Sequence, residues 1–394
     1  MIAEGKNFTL DIGEYDITGT VNGKLVTNNG TVTIEGDTGC IYNQDISAQG
    51  HDAFLNNGTA TINGGWFGDA DNDKTNANAI NRGAGFRNFG TATINGGHFT
   101  ACDNFTNGGY AYALINDNNG TMTINDADVY GKNNGNIANN SGSVTVKDGT
   151  FSIDGSESYY SVYSYSGDTV VEGGTFTKSG NNRSQFCVEV DKDNADDPGT
   201  IAVSGGNFTK AVPEQYCAFG KMPSPVDSGT GMYTVIPGIV YPTGADSVGV
   251  QMPVSWIKDN TDLVAGDSPT AAEMATIVDD LGANGANGVP LWQSYVLGLN
   301  PKDATSQVKL VGAKASADGK VAIKGLNVNV PAVLAAQGTT VIFHLEESVP
   351  GSDSWAVRSE TFTVEDGKPV FTVPLGDVNG KVLRIMADIV TVSK

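Results

Sequence analysis

Hydrophobic and polar positions alternate in a ten-residue pattern that returns along the first half of the chain. GTATINGGWF begins at Gly58 and GTATINGGHF begins at Gly90, and nine of their ten letters agree. With five further copies, the starting points lie 22 to 32 residues apart. The further copies are GTVTIEG from Gly30, GTMTINDADV from Gly120, GSVTVKDGTF from Gly142, GDTVVEGGTF from Gly167 and GTIAVSGGNF from Gly199. Self-similarity at such a period indicates a repeat architecture.

Each copy predicts a short strand followed by a bend. In Thr91-Ala92-Thr93-Ile94, as in most copies, threonine alternates with an apolar residue, and a period of two gives a strand one buried face. Gly-Gly then permits a sharp bend before a large apolar tenth residue, because glycine accepts positive φ. One short strand cannot bury its apolar face alone, so strands of successive copies must stack about 4.8 Å apart. The pattern predicts a parallel β-helix, right-handed because parallel crossovers almost always are.

Asparagine recurs at two places in the repeat. Clusters that precede the strands are interpreted as structural turns, since asparagine tolerates the left-handed region and bonds its own backbone. They are Asn28-Asn29-Gly30, Asn56-Asn57-Gly58, Asn118-Asn119-Gly120 and Asn139-Asn140-Ser141-Gly142. Asn63, Asn95 and Asn125 follow the strands and are predicted to stack as a side-chain ladder.

After Lys210 the repeat frame ends. Thr270 and Glu273 form a capping box before one predicted helix, and Pro290 and Gly298 bound a second. Six alternating segments, VKLVGAKA, KVAIKGLNVNV, TTVIFHLE, WAVRSETFTV, KPVFTVPL and KVLRIMADIVTV, predict a small Ig-like β-sandwich. The predicted fold is all-β. Its divisions are 1–212 for the β-helix repeats, 213–240 for a cap and exit segment, 241–305 for a linker with two short helices, and 306–394 for the sandwich.

Charge and composition exclude several function classes. The 394 residues carry a net charge of −21 without a basic block, which argues against nucleic acid as a partner. No apolar stretch reaches membrane-spanning length. The opening MIAEGKNFTLDIGEY lacks an apolar signal core, so we expect a fragment of a longer precursor or a chain whose signal has been removed.

The sequence has four cysteines, Cys40, Cys102, Cys187 and Cys217. None belongs to a CxxC motif, which argues against a zinc site. Cys187 and Cys217 are one coil period apart, so a disulfide between adjacent rungs is one interpretation. The other interpretation is that all four are small buried thiols.

The coils of type NNGTxTIxGGxF resemble the β-helical repeats of large adhesin-like surface proteins of gut Gram-positive bacteria. GGNFTKAVPEQYC…VDSGTGMYTV, from Gly205 to Val235, is similar to the exit segment that closes such arrays. ANGVPLWQSYVLGLNP and FTVPLGDVNGKVLRIMAD resemble their C-terminal module. The resemblance implies an extracellular or cell-surface location. GVPLWQSYVLGLNP also looks like calcium loops of the DGxxNxxEYxxGxDP kind, although it lacks the leading Asp and has Gln293 and Ser294 where acidic ligands are expected.

A catalytic alternative depends on one acidic segment. Polysaccharide lyases and hydrolases of the β-helix type need carboxylates and a base on one face. The segment GDADNDK offers Asp69, Asp71 and Asp73, with Arg82 and Arg87 after it. The same oxygens suit a structural calcium ion. A solvated acidic loop between rungs is the simpler interpretation.

Aromatic residues give the better indication of binding. Tyrosine and tryptophan faces suit sugar rings or protein partners when they are exposed. The candidates are Trp66, Tyr110, Tyr112, Tyr159, Tyr160, Tyr163 and Tyr165. Ranks of threonine on successive rungs raise ice binding as another alternative. The ranks do not persist, because Val170 and Ala202 replace threonine in the last copies. Threonine is also ordinary on the solvated face of a strand.

The sequence therefore favours a non-catalytic, secreted or cell-surface adhesin-like protein. Its β-helix would act as a stalk or as a binding module for a glycan or for a host or bacterial surface protein. Apart from the calcium alternative, the sequence indicates no cofactor.

Overall fold

The structure is a computed structural model. It describes residues 1–43, 52–68, 83–101, 112–131, 135–153, 160–179, 186–191, 198–224, 226–242, 249–266, 269–306, 309–315, 318–326, 339–352, 354–365 and 368–391. Within these residues the chain is mostly β-structure with three short α-helices. It divides into two compact units, Met1–Ile236 and Pro237–Lys394. The first unit is a parallel β-solenoid, which confirms the fold predicted from the repeats.

Three parallel sheets run along the solenoid, and successive coils add one strand to each sheet. The first sheet contains β1 Asn7–Asp11, β4 Thr31–Glu35, β7 Thr59–Ile62, β10 Thr91–Ile94, β13 Thr121–Ile124, β16 Ser143–Val146, β19 Asp168–Val171 and β22 Thr200–Val203. The second contains β2 Ile17–Gly19, β5 Cys40–Asn43, β8 Trp66–Phe67, β11 His98–Ala101, β14 Asp128–Gly131, β17 Thr150–Ile153, β20 Thr175–Lys178 and β23 Asn207–Phe208. The third contains β3 Val26–Asn28, β6 Phe54–Asn56, β9 Phe86–Asn88, β12 Tyr112–Asn116, β15 Gly135–Asn139, β18 Val162–Ser164 and β21 Val188–Val190.

One coil precedes the first copy that the sequence pattern reveals. Strand β1 has the sequence NFTLD and pairs in parallel with β4, so that Phe8 lies opposite Val32 and Leu10 opposite Ile34. It keeps the alternation of the repeat but has neither the Gly-Thr start nor the Gly-Gly bend. The repeat frame therefore misses this coil, although its strand joins the same sheet.

Inward side chains of all three sheets form one continuous hydrophobic core. Phenylalanines at the tenth repeat position stack from coil to coil in the second sheet. The ring centroids of Phe67 and Phe99 are 4.8 Å apart and their planes differ by 10°, and Phe176 and Phe208 are also 4.8 Å apart. These spacings match the distance between neighbouring strands, so each coil supplies one layer of the core.

Buried asparagines form a ladder of side-chain hydrogen bonds along the third sheet. The Asn28 side-chain nitrogen donates to Oδ1 of Asn56 at 2.7 Å, and the same bond links each member to the next, at 2.8, 2.8 and 3.1 Å. The members are Asn28, Asn56, Asn88, Asn116 and Asn139, and all are fully buried. Each Nδ2 also reaches the backbone carbonyl of the following turn, as Asn88 does to Gly90 at 2.9 Å. The ladder thus satisfies polar groups that the turn would otherwise bury without a partner.

The ladder corrects the turn interpretation in part. Among the described residues other than glycine, only Asn118 and Asn119 adopt positive φ, at 50° and 58°, as a left-handed turn requires. Asn28, Asn56 and Asn139 have a different role, because their side chains bond from coil to coil. The exposed ladder is confirmed: Asn95 donates to Asn63 at 2.8 Å and Asn125 donates to Asn95 at 2.7 Å.

The two glycines of each bend are required for different reasons. Gly65 has a φ of 90°, in the region that favours glycine. A Cβ on Gly64 would lie 2.1 Å from the carbonyl oxygen of Gly36 on the previous coil. The first glycine therefore allows close stacking of coils, and the second allows the bend.

From β4 to β20, differences in coil length lie mainly at one corner. From β4 to β17, turns that enter or leave the first sheet are short, with two residues between Asn28 and Thr31 and four between Asn116 and Thr121. The connection from the second to the third sheet varies much more. Three residues, 132–134, separate β14 from β15, whereas residues 68–85 separate β8 from β9. The irregular period of the repeat is thus absorbed between the second and third sheets.

The C-terminal end of the solenoid is covered, as the cap segment predicts. A short 3-10 helix, Glu214–Tyr216, leads to β24 (Lys221–Pro223) and β25 (Tyr233–Tyr241). Strand β25 pairs antiparallel with β23 and so protects the last edge of the second sheet. The backbone of Cys217 forms an isolated parallel β-bridge with Val203, at the end of the first sheet.

The second unit begins with the later part of β25, which pairs with β26 (Val250–Pro253). Three helices follow where two were predicted, namely α1 Val254–Asn260, α2 Ala271–Asp280 and α3 Leu291–Leu297. The capping box of α2 is confirmed, because Thr270 and Glu273 bond reciprocally, and Gly298 ends α3 in the left-handed conformation. The additional helix, α1, has only seven residues, too few for a periodic pattern to stand out.

Two antiparallel sheets complete the second unit, consistent with a small β-sandwich. One has the order β27-β28-β32-β31 and the other β30-β29-β33. Their strands are β27 Lys309–Ala315, β28 Lys320–Leu326, β29 Thr339–Ser348, β30 Ala356–Val357, β31 Phe362–Glu365, β32 Lys368–Pro374 and β33 Val382–Thr391. Phe343 of one sheet packs edge-on against Phe362 of the other at 5.5 Å.

The fourth predicted strand, WAVRSETFTV, is two strands rather than one. Its first part, β30, pairs with β29, and its second part, β31, pairs with β32 in the other sheet. Arg358 lies at the crossing, where it forms ion pairs with Glu347 and Glu360. This segment therefore passes from one sheet to the other, which alternation alone does not reveal.

The register of the ladder can be tested with Phe99 and Thr93. Phe99 is fully buried, whereas Thr93 lies on the outer face of the first sheet. Phe99→Ala should lower the free energy of unfolding by about 3–5 kcal/mol because it leaves a cavity between rungs. Thr93→Ala should cost less than about 1 kcal/mol. Denaturant unfolding measures both values, and equal losses would show that the register is wrong.

The two asparagine ladders provide a second matched pair. Asn88→Ala removes the partners of Asn56 and Asn116 inside the solenoid, so it should destabilise by about 3 kcal/mol or more, since each buried unsatisfied group costs about 1–3 kcal/mol. Asn95→Ala breaks the same kind of bond at an exposed site and should cost less than about 1 kcal/mol. Similar unfolding midpoints for the two variants would contradict the structural role of the buried ladder.

Candidate binding face at the corner between the second and third sheets

The corner that takes the variable connections also has apolar side chains outside the main core. Ala84, Tyr112, Ile115 and Ala138 form one buried cluster on the outer face of the third sheet, with Tyr163 packed against it. Cys40, Tyr42 and Trp66 form another on the second sheet. The second and third sheets thus bear apolar groups on both faces. Functional residues commonly lie on variable loops held by a rigid scaffold, which makes this corner the candidate site.

Three of the predicted tyrosines come together on the third sheet. The Tyr112 and Tyr163 rings are 6.0 Å apart with planes 13° from parallel, and Tyr160 and Tyr163 are 5.4 Å apart at 14°. Tyr112 is 6% exposed, whereas Tyr160 and Tyr163 are half-buried. We call these three residues the tyrosine stack. Only its later members offer ring surface, so the expected exposure is wrong for Tyr112.

A glycine makes room for the stack. Tyr112 lies opposite Gly135 on the next strand, and a Cβ on Gly135 would come within 1.9 Å of Cε1 of the tyrosine ring. The ring therefore lies over the backbone of the following coil, toward Tyr160 and Tyr163. Any side chain at position 135 would displace it.

Tyr165 extends the aromatic surface beyond the stack. It is 45% exposed and lies in the bend directly after β18, so its ring is open to solvent at the end of that strand. Tyr110 and Tyr159, which were predicted to contribute, lie outside the described residues.

Carboxylates occupy the rung that follows the tyrosines. Glu189 pairs in register with Tyr163. The Asp191 N–H donates to the Ser164 carbonyl at 2.9 Å, which places Asp191 beside Tyr165. Glu189 also accepts a 2.5 Å hydrogen bond from the Tyr216 hydroxyl, so its carboxylate is held in position. The sequence pattern does not reveal the alignment of Glu189 and Asp191 with the tyrosines, because it depends on the strand register.

The opposite end of this face has a charge cluster. The Asp52 carboxylate is fully buried and lies 2.7 Å from Nε of Arg87 and 3.5 Å from Nζ of Lys24. It also accepts the Ala84 N–H at 2.9 Å. Asp117, which is partly exposed, lies 3.5 Å from Nη1 of Arg87. The cluster ties together four neighbouring coils, those that contain β3, β6, β9 and β12.

These contacts give Arg87 a structural role. It was a candidate partner for Asp69, Asp71 and Asp73 in a lyase-like or calcium site, but its guanidinium is held between Asp52 and Asp117. The three aspartates and Arg82 lie outside the described residues. Within the described part of the chain, no group of three His, Cys, Asp or Glu side chains is arranged to hold a metal ion.

The second-sheet cluster corrects the expectation for Trp66. This side chain points away from the core, as predicted, but it is only 7% exposed. Its ring stacks on His98 at 4.0 Å, and Nδ1 of His98 lies 3.1 Å from Oδ2 of Asp128 on the next rung. Cys40 precedes Trp66 in the same rank. Trp66 is thus a packing residue in this structure and not an open ligand platform.

In the segment that resembles a calcium loop, neutral side chains form hydrogen bonds within the turn. Asn287 donates from its side chain to the Ser294 hydroxyl at 3.1 Å, and its Oδ1 accepts the Val289 N–H at 3.0 Å. Both side chains are buried. Ser294 occupies the position at which the similar calcium loops have an acidic ligand. Here it stabilises the turn by accepting a hydrogen bond from the Asn287 side-chain amide rather than by ligating an ion.

Shifted pKa values occur at the last coils of the solenoid. Burial lowers the pKa of Lys178 to about 8 and raises that of Cys187. Burial, together with the hydrogen bond to Glu189, raises the pKa of Tyr216 to about 12. Cys40, Cys187 and Cys217 form no disulfide, so the Cys187–Cys217 pairing is wrong, and Cys102 lies outside the described residues. The higher pKa values keep Cys187 and Tyr216 neutral near pH 7, so neither has the character of a nucleophile.

Comparison of the chain with protein families, curated proteins and solved structures finds no match. Across the described ranges, no helix has both the length and the apolar character needed to span a membrane.

Asp52 and Asp117 allow a test of the charge cluster. Asp52→Ala leaves Arg87 and Lys24 without their buried partner and should destabilise the protein by about 3–5 kcal/mol. Asp117→Ala removes a partly exposed partner and should cost less than about 1 kcal/mol. Chemical denaturation gives both values. A mild effect of Asp52→Ala would show that the cluster does not hold the coils together.

Proposed function

We propose that the protein is a non-catalytic, adhesin-like module of an extracellular or cell-surface protein, and that it binds glycans at the corner between the second and third sheets. The observation that carries the proposal is the tyrosine stack, which lies outside the hydrophobic core and leaves two half-buried rings at the surface. Aromatic faces of this kind pack against the apolar face of a sugar ring, while the hydroxyl groups offer hydrogen bonds.

The scaffold supports this use of the face. Strands β12 and β15 carry Asn116 and Asn139 of the asparagine ladder, and β18 pairs in parallel with β15, so the rings are held on rigid elements. Rigid presentation reduces the entropy that is lost when a ligand binds. The threonine ranks of the first sheet stay in register from Thr31 to Thr145 but belong to another face and take no part in this proposal.

An array of neutral, acidic and amino-sugar glycans, probed with the full chain, tests the proposal. Calorimetry with the oligosaccharides that bind should then show about fivefold weaker affinity for Tyr163→Ala, because one aromatic contact is worth about 1 kcal/mol. Tyr15→Ala is the matched control, since Tyr15 is 83% exposed in the first coil, far along the chain from the stack.

Thermal unfolding of each variant separates loss of binding from loss of fold. Saturable binding that weakens in Tyr163→Ala but not in Tyr15→Ala supports the proposal. Absence of glycan binding by the unaltered chain would refute it. Release of new reducing ends from any arrayed polysaccharide would favour the lyase or hydrolase alternative instead.

A further inference from the structure

The N-terminal end of the solenoid, unlike its C-terminal end, is open in the part of the chain that the structure describes. Strand β1 is the outermost strand of the first sheet, and β4 pairs with it on one side only. Phe8 lies opposite Val32 in the inward rank, yet it is 51% exposed whereas Val32 is fully buried. Other exposed apolar side chains of the first coil are Met1, Tyr15 and Val21. A group of exposed apolar side chains at one end marks an interaction surface.

The outer edge of β1 also presents unpaired backbone groups. The Thr31 N–H donates to the Lys6 carbonyl, and in a parallel ladder alternate residues of a strand bond to the neighbouring strand. Even-numbered residues of β1 therefore bond to β4. The N–H and C=O groups of Asn7, Thr9 and Asp11 point the other way, where the described residues supply no strand. Because β1 has neither proline nor lysine to block pairing, this edge is a template for another strand.

We propose that β1 pairs antiparallel with β1 of a second copy of this chain, so that two solenoids join at their N-terminal ends in a dimer with a twofold axis through Thr9. In this register Asn7 lies opposite Asp11 of the partner subunit, and Thr9 lies opposite its own counterpart. These are the residues whose backbone groups point outward, so both strands present matching donors and acceptors. Phe8 lies opposite Leu10 of the partner subunit, and each covers apolar surface of the other.

The pattern of β1 explains why the occupant is a second copy. NFTLD alternates polar and apolar residues symmetrically about Thr9, so a twofold rotation perpendicular to the sheet returns the same pattern. The rotation keeps Phe8 and Leu10 on the core side of both copies. On the outer face, the Asn7 amide meets an Asp11 carboxylate, which places a donor beside an acceptor. The C-terminal end of another copy does not fit, because β25 already covers β23 there.

Charge makes the association depend on salt. Each chain has a net charge of −21, so two copies repel each other at low ionic strength, and added salt should strengthen the dimer. The contact involves one end of a thin solenoid, which indicates weak, reversible association. The dimer goes beyond the proposed function, but it would also place two candidate binding faces in one particle and so raise the avidity for a repetitive ligand.

Sedimentation velocity of the full chain tests the dimer. At physiological salt, particles of twice the single-chain mass should appear between about 10 µM and 1 mM, as expected for a weak interface. Phe8→Lys should weaken dimerisation at least about tenfold, because it brings an ammonium group into the apolar contact with Leu10 of the partner subunit. Phe219→Lys is the matched control, since Phe219 is 75% exposed beyond the last coil. Thermal unfolding checks that both variants are folded.

A cysteine at position 9 tests the register, and it keeps the proposal testable if Phe8→Lys is unstable. Residues opposite each other at a hydrogen-bonded position have Cα atoms about 5.5 Å apart, a distance that a disulfide spans. Mild oxidation of Thr9→Cys should therefore give a covalent dimer. Thr31→Cys is the matched control, because Thr31 is also exposed on the outer face but lies one strand further from the axis. The unaltered chain controls for the native cysteines.

Several results would overturn the proposal. They are a single-chain mass at every concentration, assemblies larger than a dimer, equal effects of Phe8→Lys and Phe219→Lys, and equal cross-linking of Thr9→Cys and Thr31→Cys. Each of them leaves glycan binding untouched, because Tyr163→Ala tests that function separately.

Discussion

Stacking of successive coils in a common register is the constraint on which the rest of the solenoid depends. A coil is too thin to enclose a core, so each inward residue is buried only if its counterparts above and below lie at the same place. Phe67 and Phe99 meet this condition through ring stacking, and Asn56 and Asn88 meet it through a side-chain hydrogen bond. The asparagine bond is the more selective of the two, because an amide shifted by one residue would lose its partners in the interior. Apolar packing thus supplies most of the burial, and the amides define where the coils align.

Much of the solenoid was predictable from sequence because this constraint leaves a periodic trace. The Thr-x-Thr-Ile strands and the Gly-Gly bends both follow from it, and the structure confirms them. The coil of residues 7–28 was not detected, because a strand can satisfy the register with NFTLD, which shares the alternation but no letters of the bend. In the second unit, α1 was missed because seven residues are too few for a period to stand out. The division of WAVRSETFTV between two sheets was missed because it depends on tertiary contacts, such as those of Arg358, and not on local periodicity.

The candidate site was predictable only as a set of residue types. The sequence shows a cluster of tyrosines, but it does not reveal that Tyr112 lies over Gly135 while Tyr165 is open to solvent. Asp52 comes just after a connection and belongs to no repeat position, so its burial between Arg87 and Lys24 left no pattern to find. The burial of Trp66 depends on its stacking with His98, one copy later at the same position. Residues of one repeat position thus share a direction, while their exposure depends on the neighbouring coils.

Because most length variation lies at the corner between the second and third sheets, the residues that stack the coils and those that form the candidate binding face can vary separately. Insertions there change the candidate binding face without disturbing the ladders, as the contrast between residues 132–134 and residues 68–85 shows. Whole coils are equally interchangeable, since the first-sheet strands of the near-identical copies at Gly58 and Gly90 pair residue for residue. Unequal recombination between such copies would add or delete a complete rung, and each added rung would lengthen the solenoid by about 4.8 Å. A gene of this kind can therefore change both the reach and the surface of its product by simple duplication, while every intermediate retains a closed core.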